Sequence, residues 1–159
     1  MNHLQNCKLV NVVAPVSLSG ATATVANKVD TSGFGGGELL LVVSLGATAG
    51  TVSALKVQES DDDSTYSDVT GCVVATSLDI EGGVTDLPDA TGDDNGLYVF
   101  QIQLTASRKR YFTLVATEGA SSATLFSCLA VLSPAGLAPV DTNAAIAGAI
   151  VDTAIMRAS

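Results

Sequence analysis

The sequence predicts an all-β domain: an antiparallel β-sandwich, or jelly-roll-like barrel, with extended or partly helical terminal arms. Three observations predict it. Apolar residues alternate with period two along much of the chain, and turn-forming clusters separate these short segments at regular intervals. The apolar stock is aliphatic, with no Trp and only four Phe among 159 residues, so the core must be built from Val, Leu and Ile on thin sheets.

Residues 8 to 18 form an apolar, β-rich segment broken by Pro15, which has no N–H to give a ladder and so belongs on an edge strand or an arm. Thr22 to Val29 alternates small and branched residues, and the glycine-rich run 31 to 37 is a loop. Glu38 to Leu45 is a continuous aliphatic run, as a strand buried on both faces requires. After Gly46-Ala-Thr-Ala-Gly50, Val52 to Glu59 alternates again. Val52, Ala54, Lys56 and Gln58 share the wetter face, with Ser53, Leu55, Val57 and Glu59 opposite.

Asp61-Asp-Asp-Ser64 closes a hairpin into a short strand at Tyr66 to Val69, and Cys72 to Ile80 reads as a further strand. A long polar connection follows from Glu81 to Asn95, ending in an Asn-Gly turn. Leu97 to Thr105 places Tyr98, Phe100, Ile102 and Leu104 on a core face. Ala106-Ser-Arg-Lys109 turns into a strand at 110 to 117, and Glu118 to Ser122 turns into another at 124 to 132. Beyond Pro134 and Pro139 the pattern changes: Ile146, Ile150 and Ala154 recur at helical spacing behind candidate caps Asp141 to Asn143, so a short helix or an extended arm ends the chain. The division is an N-terminal strand or arm over 1 to 29, a sandwich over 30 to 140, and a C-terminal arm or short helix over 141 to 159.

Charge narrows the partners. The net charge is −9, most acids fall between Glu59 and Asp94, and no Lys or Arg lies between Lys56 and Arg108. Nucleic acid is thereby disfavoured, because phosphate binding draws on clustered cations. Mean hydropathy is +0.42 without an uncharged aliphatic run long enough for a membrane helix, so the apolar excess is expected to be covered in an oligomer rather than in lipid. Cys7, Cys72 and Cys128 are odd in number and lack metal or redox spacing, which makes them free thiols of a reducing compartment. The polar start of the sequence has no apolar core of a secretory leader.

No catalytic constellation assembles from these residue types, and no cofactor is expected. His3 is the sole histidine, and the glycines of 33 to 37 lack the Lys and Ser/Thr of a phosphate loop. Asp61 and Asp63, with Asp62 and Asp68 nearby, offer hard oxygens to a cation, but without the Gly and distal Glu of a calcium-binding loop they read first as a solvated turn. Arg108, Lys109 and Arg110 form the basic cluster. It is either a soluble hairpin tip or an electrostatic dock for an acidic neighbour, including the acidic belt of another copy. Val10 and Val12 in the first segment and Ile146 and Ile150 in the last are the aliphatic interface candidates.

The strand and turn words at 54 to 69, 100 to 105, 108 to 117 and 129 to 133 resemble, over about residues 39 to 140, the capsid decoration, stabilisation or cement proteins of tailed bacteriophages. That resemblance implies a non-enzymatic β-sandwich on the outer surface of a virion capsid. It further implies assembly in the host cytoplasm, a homotrimeric state, and neighbouring major capsid proteins clamped together. A receptor- or glycan-binding sandwich of a tail or surface appendage is the alternative, although such sites favour aromatic platforms and the polar aromatics here are Tyr66, Tyr98 and Tyr111.

Overall fold

A computed structural model describes residues 6–18, 24–48, 50–77, 83, 86–89, 93–119, 124–134 and 153–158. Among the described residues ten strands are defined: β1 (Lys8–Leu18), β2 (Thr24–Val25), β3 (Val29–Asp30), β4 (Glu38–Thr48), β5 (Val52–Ser60), β6 (Ser67–Val73), β7 (Leu97–Gln103), β8 (Tyr111–Glu118), β9 (Thr124–Ser133) and β10 (Thr153–Ala158). They form two sheets. Sheet A has the order β1-β9-β4-β7-β10, and sheet B has β2-β8-β5-β6 with β3 also on β8.

The antiparallel pairings are nested. Strand β1 pairs with β9, β2 and β3 with β8, β4 with β7, and β5 with β6. A long hairpin of this kind, rolled so that its pairs alternate between two sheets, is a jelly roll. The predicted sandwich is therefore the one observed. Sheet A departs from strict antiparallelism at one place, since β10 runs parallel to β7.

Period two decides the core. Leu39, Leu41, Val43 and Leu45 of β4, Tyr98, Phe100 and Ile102 of β7, and Phe126, Cys128, Ala130 and Leu132 of β9 point inward from sheet A. They meet Leu55 and Val57 of β5, Val69 and Cys72 of β6, and Phe112, Leu114 and Ala116 of β8. Burying each large side chain contributes about 1.5–3 kcal/mol, which is how an aliphatic core holds two sheets together.

Bulges account for several departures from simple alternation. The β1–β9 register shifts at Asn11/Val13, so Val12 and Val13 are both buried although adjacent. A second shift follows at Val13/Val16 around Pro15, and β1 is an edge strand, as the proline requires. A shift at Val52/Ala54 turns Val52 into the core, away from the wetter face where alternation placed it; Ala54, Lys56 and Gln58 stay half-buried on the outer side.

Two expected strands are differently divided. The segment predicted at 22 to 29 gives two short strands, β2 and β3, both on β8. The strands predicted at 66 to 69 and from Cys72 are one strand, β6. Gly71 (φ 85°) sits in its left-handed bend, and the register against β5 shifts from Gln58↔Asp68 to Lys56↔Val73. The chain then turns at 74–77, and 78–80 lie outside the described residues.

At the C-terminus, of the short helix and the extended arm that the sequence leaves open, the described residues take the extended form. Residues 153–158 are strand, and Met156 and Ala158 are buried at alternate positions. Ala-Ile-Met-Arg-Ala alternates as readily as it cycles, and the free edge of β7 supplies the hydrogen-bonding partner that selects the strand. Ile146 and Ile150 lie outside the described residues. No helix among the described residues is long and apolar enough to cross a membrane.

The cysteines are free, with Cys72 and Cys128 buried and Cys7 half-exposed. Burial pushes the thiols of Cys72 and Cys128 up to about 12, so neither supplies thiolate at neutral pH. Native protein should therefore react with a maleimide at Cys7 alone, and denatured protein at all three thiols. Labelling followed by intact-mass measurement checks this; rapid modification of Cys128 in the native state would contradict the packing.

Candidate functional site

Three connections meet at one end of the sandwich: the β3–β4 loop at 31 to 37, the β5–β6 hairpin at 61 to 66, and the β7–β8 turn at 104 to 110. Register brings them together, because Asp30, Tyr111 and Ser60 lie side by side across sheet B. The acidic hairpin and the basic turn, far apart in sequence, become neighbours there.

Most of the basic turn is engaged within its own chain. Arg110 forks onto Asp30, with Nε and Nη2 donating at 2.8 and 2.7 Å, and its guanidinium lies 4.8 Å from the Tyr111 ring centroid. Arg108 pairs with Glu59 at 3.5 Å, and Lys109 donates its backbone N–H to the same buried carboxylate at 3.2 Å. The Lys109 ammonium reaches Ser67 Oγ at 3.0 Å. The reading of these residues as a dock for an acidic neighbour thus meets cations that already hold the loops in place.

The hairpin carboxylates are likewise committed. Asp62 Oδ1 accepts from Ser60 Oγ and from the backbone N–H groups of Ser64 and Thr65 at 2.8 to 3.0 Å, which fixes the turn. The Thr65 N–H, followed by Ser64, holds the Asp62 carboxyl far below the usual carboxylate range. Asp63, at φ 58°, pairs with Lys28 and accepts the Tyr66 hydroxyl at 2.6 Å. Asp68 accepts from Lys56 and Gln58, and the Lys56 bond is the larger cause of its lowered pKa. Asp61 borders a polar cleft of about 300 Å³ between the loops, beside Thr31, Ser32 and Thr105. Among the described residues no group of three potential ligands is placed to hold a metal ion.

Arg110 is the chief reason, ahead of the Ser32 N–H, that Asp30 is lowered from 3.8 to about 2. A lowered carboxylate pKa contributes stability above the unfolded value and loses it as pH falls from near 3.8 through about 2. Arg110→Gln should raise the Asp30 midpoint toward 3.8, read by carboxyl carbon NMR. Because the pair is substantially exposed, the accompanying loss of stability should be small.

The second candidate surface is the outer face of sheet A. Rows across it read Leu9, Val131, Leu40 and Gln101, then Asn11, Leu129, Val42 and Val99, then Ser127, Ser44 and Leu97. Leu9, Leu125 and Leu129 are 52%, 50% and 42% exposed, and Leu40, Val42, Val99 and Val131 are half-buried. Glu38, at one rim, accepts from the side-chain amides of Gln101 and Gln103. Register places Arg157 of β10 beside Gln101.

The interface candidates on β1 need correction. Val12 is 1% exposed and belongs to the core, and Val10 packs against that core opposite Ala130. Leu9 faces outward in their place. Alternation sets Leu9 opposite Val10 and Val12 without saying which side is core, but the uninterrupted aliphatic run of β4 carries the signal of an apolar outer face: Leu39, Leu41 and Val43 fill one side, leaving Leu40 and Val42 on the other.

Tyr98 is buried with its hydroxyl donating to the Asp86 carbonyl, Tyr111 lies against Arg110 and Lys28, and Tyr66 is tied to Asp63.

No family model matches the sequence, and no curated protein matches it. The fold is similar to the crystal structure of the PBSX exported protein XepA, with a TM-score of 0.52 and 16% identity. The match takes in 86% of this chain and 39% of XepA, so this chain corresponds to about two-fifths of that protein's length.

Proposed function

We propose that this protein is a non-enzymatic structural component of a phage virion, a homotrimer that decorates the capsid and cements neighbouring major capsid proteins. The observation that carries the reading is the aliphatic outer face of sheet A, a broad apolar surface on a rigid jelly roll. Such a surface on a soluble domain is a place for protein to meet protein. The charged loops at one end, held in place by their own ion pairs, add a preorganised second surface.

The resemblance of the strand and turn words to decoration proteins supports the same role, and the likeness in fold to the PBSX exported protein XepA is compatible with it. Cementing needs no single strong site. Modest contacts repeated by linked subunits give high avidity.

Purified protein mixed with shells lacking it should bind saturably at a fixed ratio to the major capsid protein and raise the temperature at which the shells open. Sedimentation with scanning calorimetry reads both. Failure to co-sediment, or shells equally heat-labile with and without the protein, would overturn the role.

A further inference from the structure

We propose that residues 135–152 cross the outer face of sheet A on their way from β9 to β10, covering its β4–β7 half with the chain's own apolar side chains. The inference does not depend on the capsid role. It decides which part of the face that role can use.

Topology requires the crossing. Strands β9 and β7 are each antiparallel to β4, and β10 is parallel to β7, so β9 and β10 run the same way. Two parallel strands of one sheet are joined by a crossover that returns from one end of the sheet to the other. Strand β9 leaves at Ser133, level with Glu38 and hence with Gln103, whereas β10 enters at Thr153, level with Leu97. The connection moves three strands sideways, about 14 Å, and about 20 Å back along them. The chain from 134 to 152 reaches about 60 Å when extended, so its length is ample.

Handedness chooses the outer face. Leu45 of β4 points into the core and donates its N–H to the Gly96 carbonyl beside the start of β7. For an L residue in a strand drawn upward with its side chain toward the viewer, the N–H points to the right. Seen from the core with β4 upward, β7 therefore lies to the right; seen from outside with β9 upward, β10 lies to the right of β9. Leu104, also buried, donates to the Gly37 carbonyl at the other end of the β4–β7 pair and gives the same sense. A connection passing in front of a sheet to a strand on the right is right-handed, as about 98% of such crossovers are. The inner route would be left-handed, and the packed side chains of both sheets fill it.

The chemistry of the two surfaces matches. Residues 135–152 carry Leu137, Val140, Ile146, Ile150 and Val151 against two charges, Asp141 and Asp152. The half of the face on their route presents Leu40, Val42, Val99 and Val131, all half-buried. Leu9, Leu125 and Leu129, off that route, are exposed. Strand β9 shows the change along its own length: Val131, beside the exit at Ser133, is shielded, and Leu129 and Leu125 behind it are not. A segment tethered at both ends also meets the face at an effective concentration that a separate partner does not reach. What remains for another protein is the strip along β1 and β9, with the apolar groove beside Pro15 and Leu125.

Methyl-resolved NMR of the full chain tests the route. Ile146 or Ile150 should show nuclear Overhauser contacts to Val42 or Val99, and in a mixture of two differently labelled populations these contacts should stay within one chain. In a Cys7→Ser background, Val42→Cys should react with a maleimide at least tenfold more slowly than Thr70→Cys on the exposed side of β6, at every protein concentration. Adding Ile146→Lys and Ile150→Lys should remove most of that protection. If the lysine variant does not fold, the methyl contacts decide alone. Absence of contacts between 135–152 and the outer face, contacts that pass only between chains, or protection of Val42→Cys that lapses on dilution or survives the two lysines would overturn the inference. The methyl contacts are read without shells, so the two readings fail separately. Contacts present in a protein that ignores shells would uphold the inference and remove the capsid role; shell binding without the contacts would overturn the inference and leave that role standing.

Discussion

Gly37→Ala should cost about 3 kcal/mol, lowering the melting temperature by roughly 10 °C, while Gly35→Ala, two residues away, should change stability by no more than about 1 kcal/mol. A Cβ on Gly37 would lie 2.0 Å from the Ser133 carbonyl oxygen, 2.9 Å from the Phe34 oxygen and 3.0 Å from the Pro134 carbonyl carbon. All three are backbone atoms, so no rotamer change relieves the contact. The start of β4 would have to move away from the end of β9. Gly37 cannot shift freely, because its N–H donates to Phe34 and its carbonyl accepts from Leu104, tying the loop to the β7–β8 turn. Around Gly35 there is nothing within 4 Å. Urea unfolding of the two variants separates these cases. Equal midpoints would mean that β4 and β9 do not approach at Gly37 as described.

The same closeness explains why much of the fold was legible in the sequence and the surfaces less so. Strands β5, β7, β8 and β9 declare themselves because each alternates between turn-forming clusters, and β4 because it is an unbroken aliphatic run between glycines; Asn95 at φ 63° and Asp63 at φ 58° occupy turns that glycine, asparagine or aspartate fill most cheaply. Alternation fails where a bulge adds a residue, which is why Val13 joins Val12 in the core, why Val52 changes sides and why β6 looks like two strands broken at Gly71. Each is a tertiary event, settled by the partner strand.

The loop end was legible in its residues but not in its pairing. Nothing local to Arg110 indicates that Asp30 lies beside it, since only β8 running between β3 and β5 brings them together. The apolar face was half legible. The run Glu38 to Leu45 announces a strand apolar on both sides, but a sequence does not say which side sheet B covers and which stays on the outside.

Met156→Ala should destabilise the protein by about 2–5 kcal/mol, and Met156→Lys by more, because a buried ammonium there would have no water and no counterion within the packed core. Met156 is fully buried, in register with Phe100 of β7, and Ala158 beyond it is buried beside Ile102. Strand β10 therefore completes the core and also occupies the edge of β7 along all of Thr153–Ala158. Truncation after residue 152 should exceed the effect of Met156→Ala, since it opens the same cavity and exposes a row of unpaired backbone groups on β7. Leu129→Ala, at an exposed position of similar side-chain size, should stay within about 0.5 kcal/mol for the monomer. An amphipathic helix lying on the surface would behave differently: its residues would shield one face from solvent without sharing a ladder with β7, and truncation would leave amide exchange across Leu97–Gln103 unchanged. Hydrogen exchange on the truncated chain therefore distinguishes the two arrangements, with accelerated exchange along β7 expected for the strand.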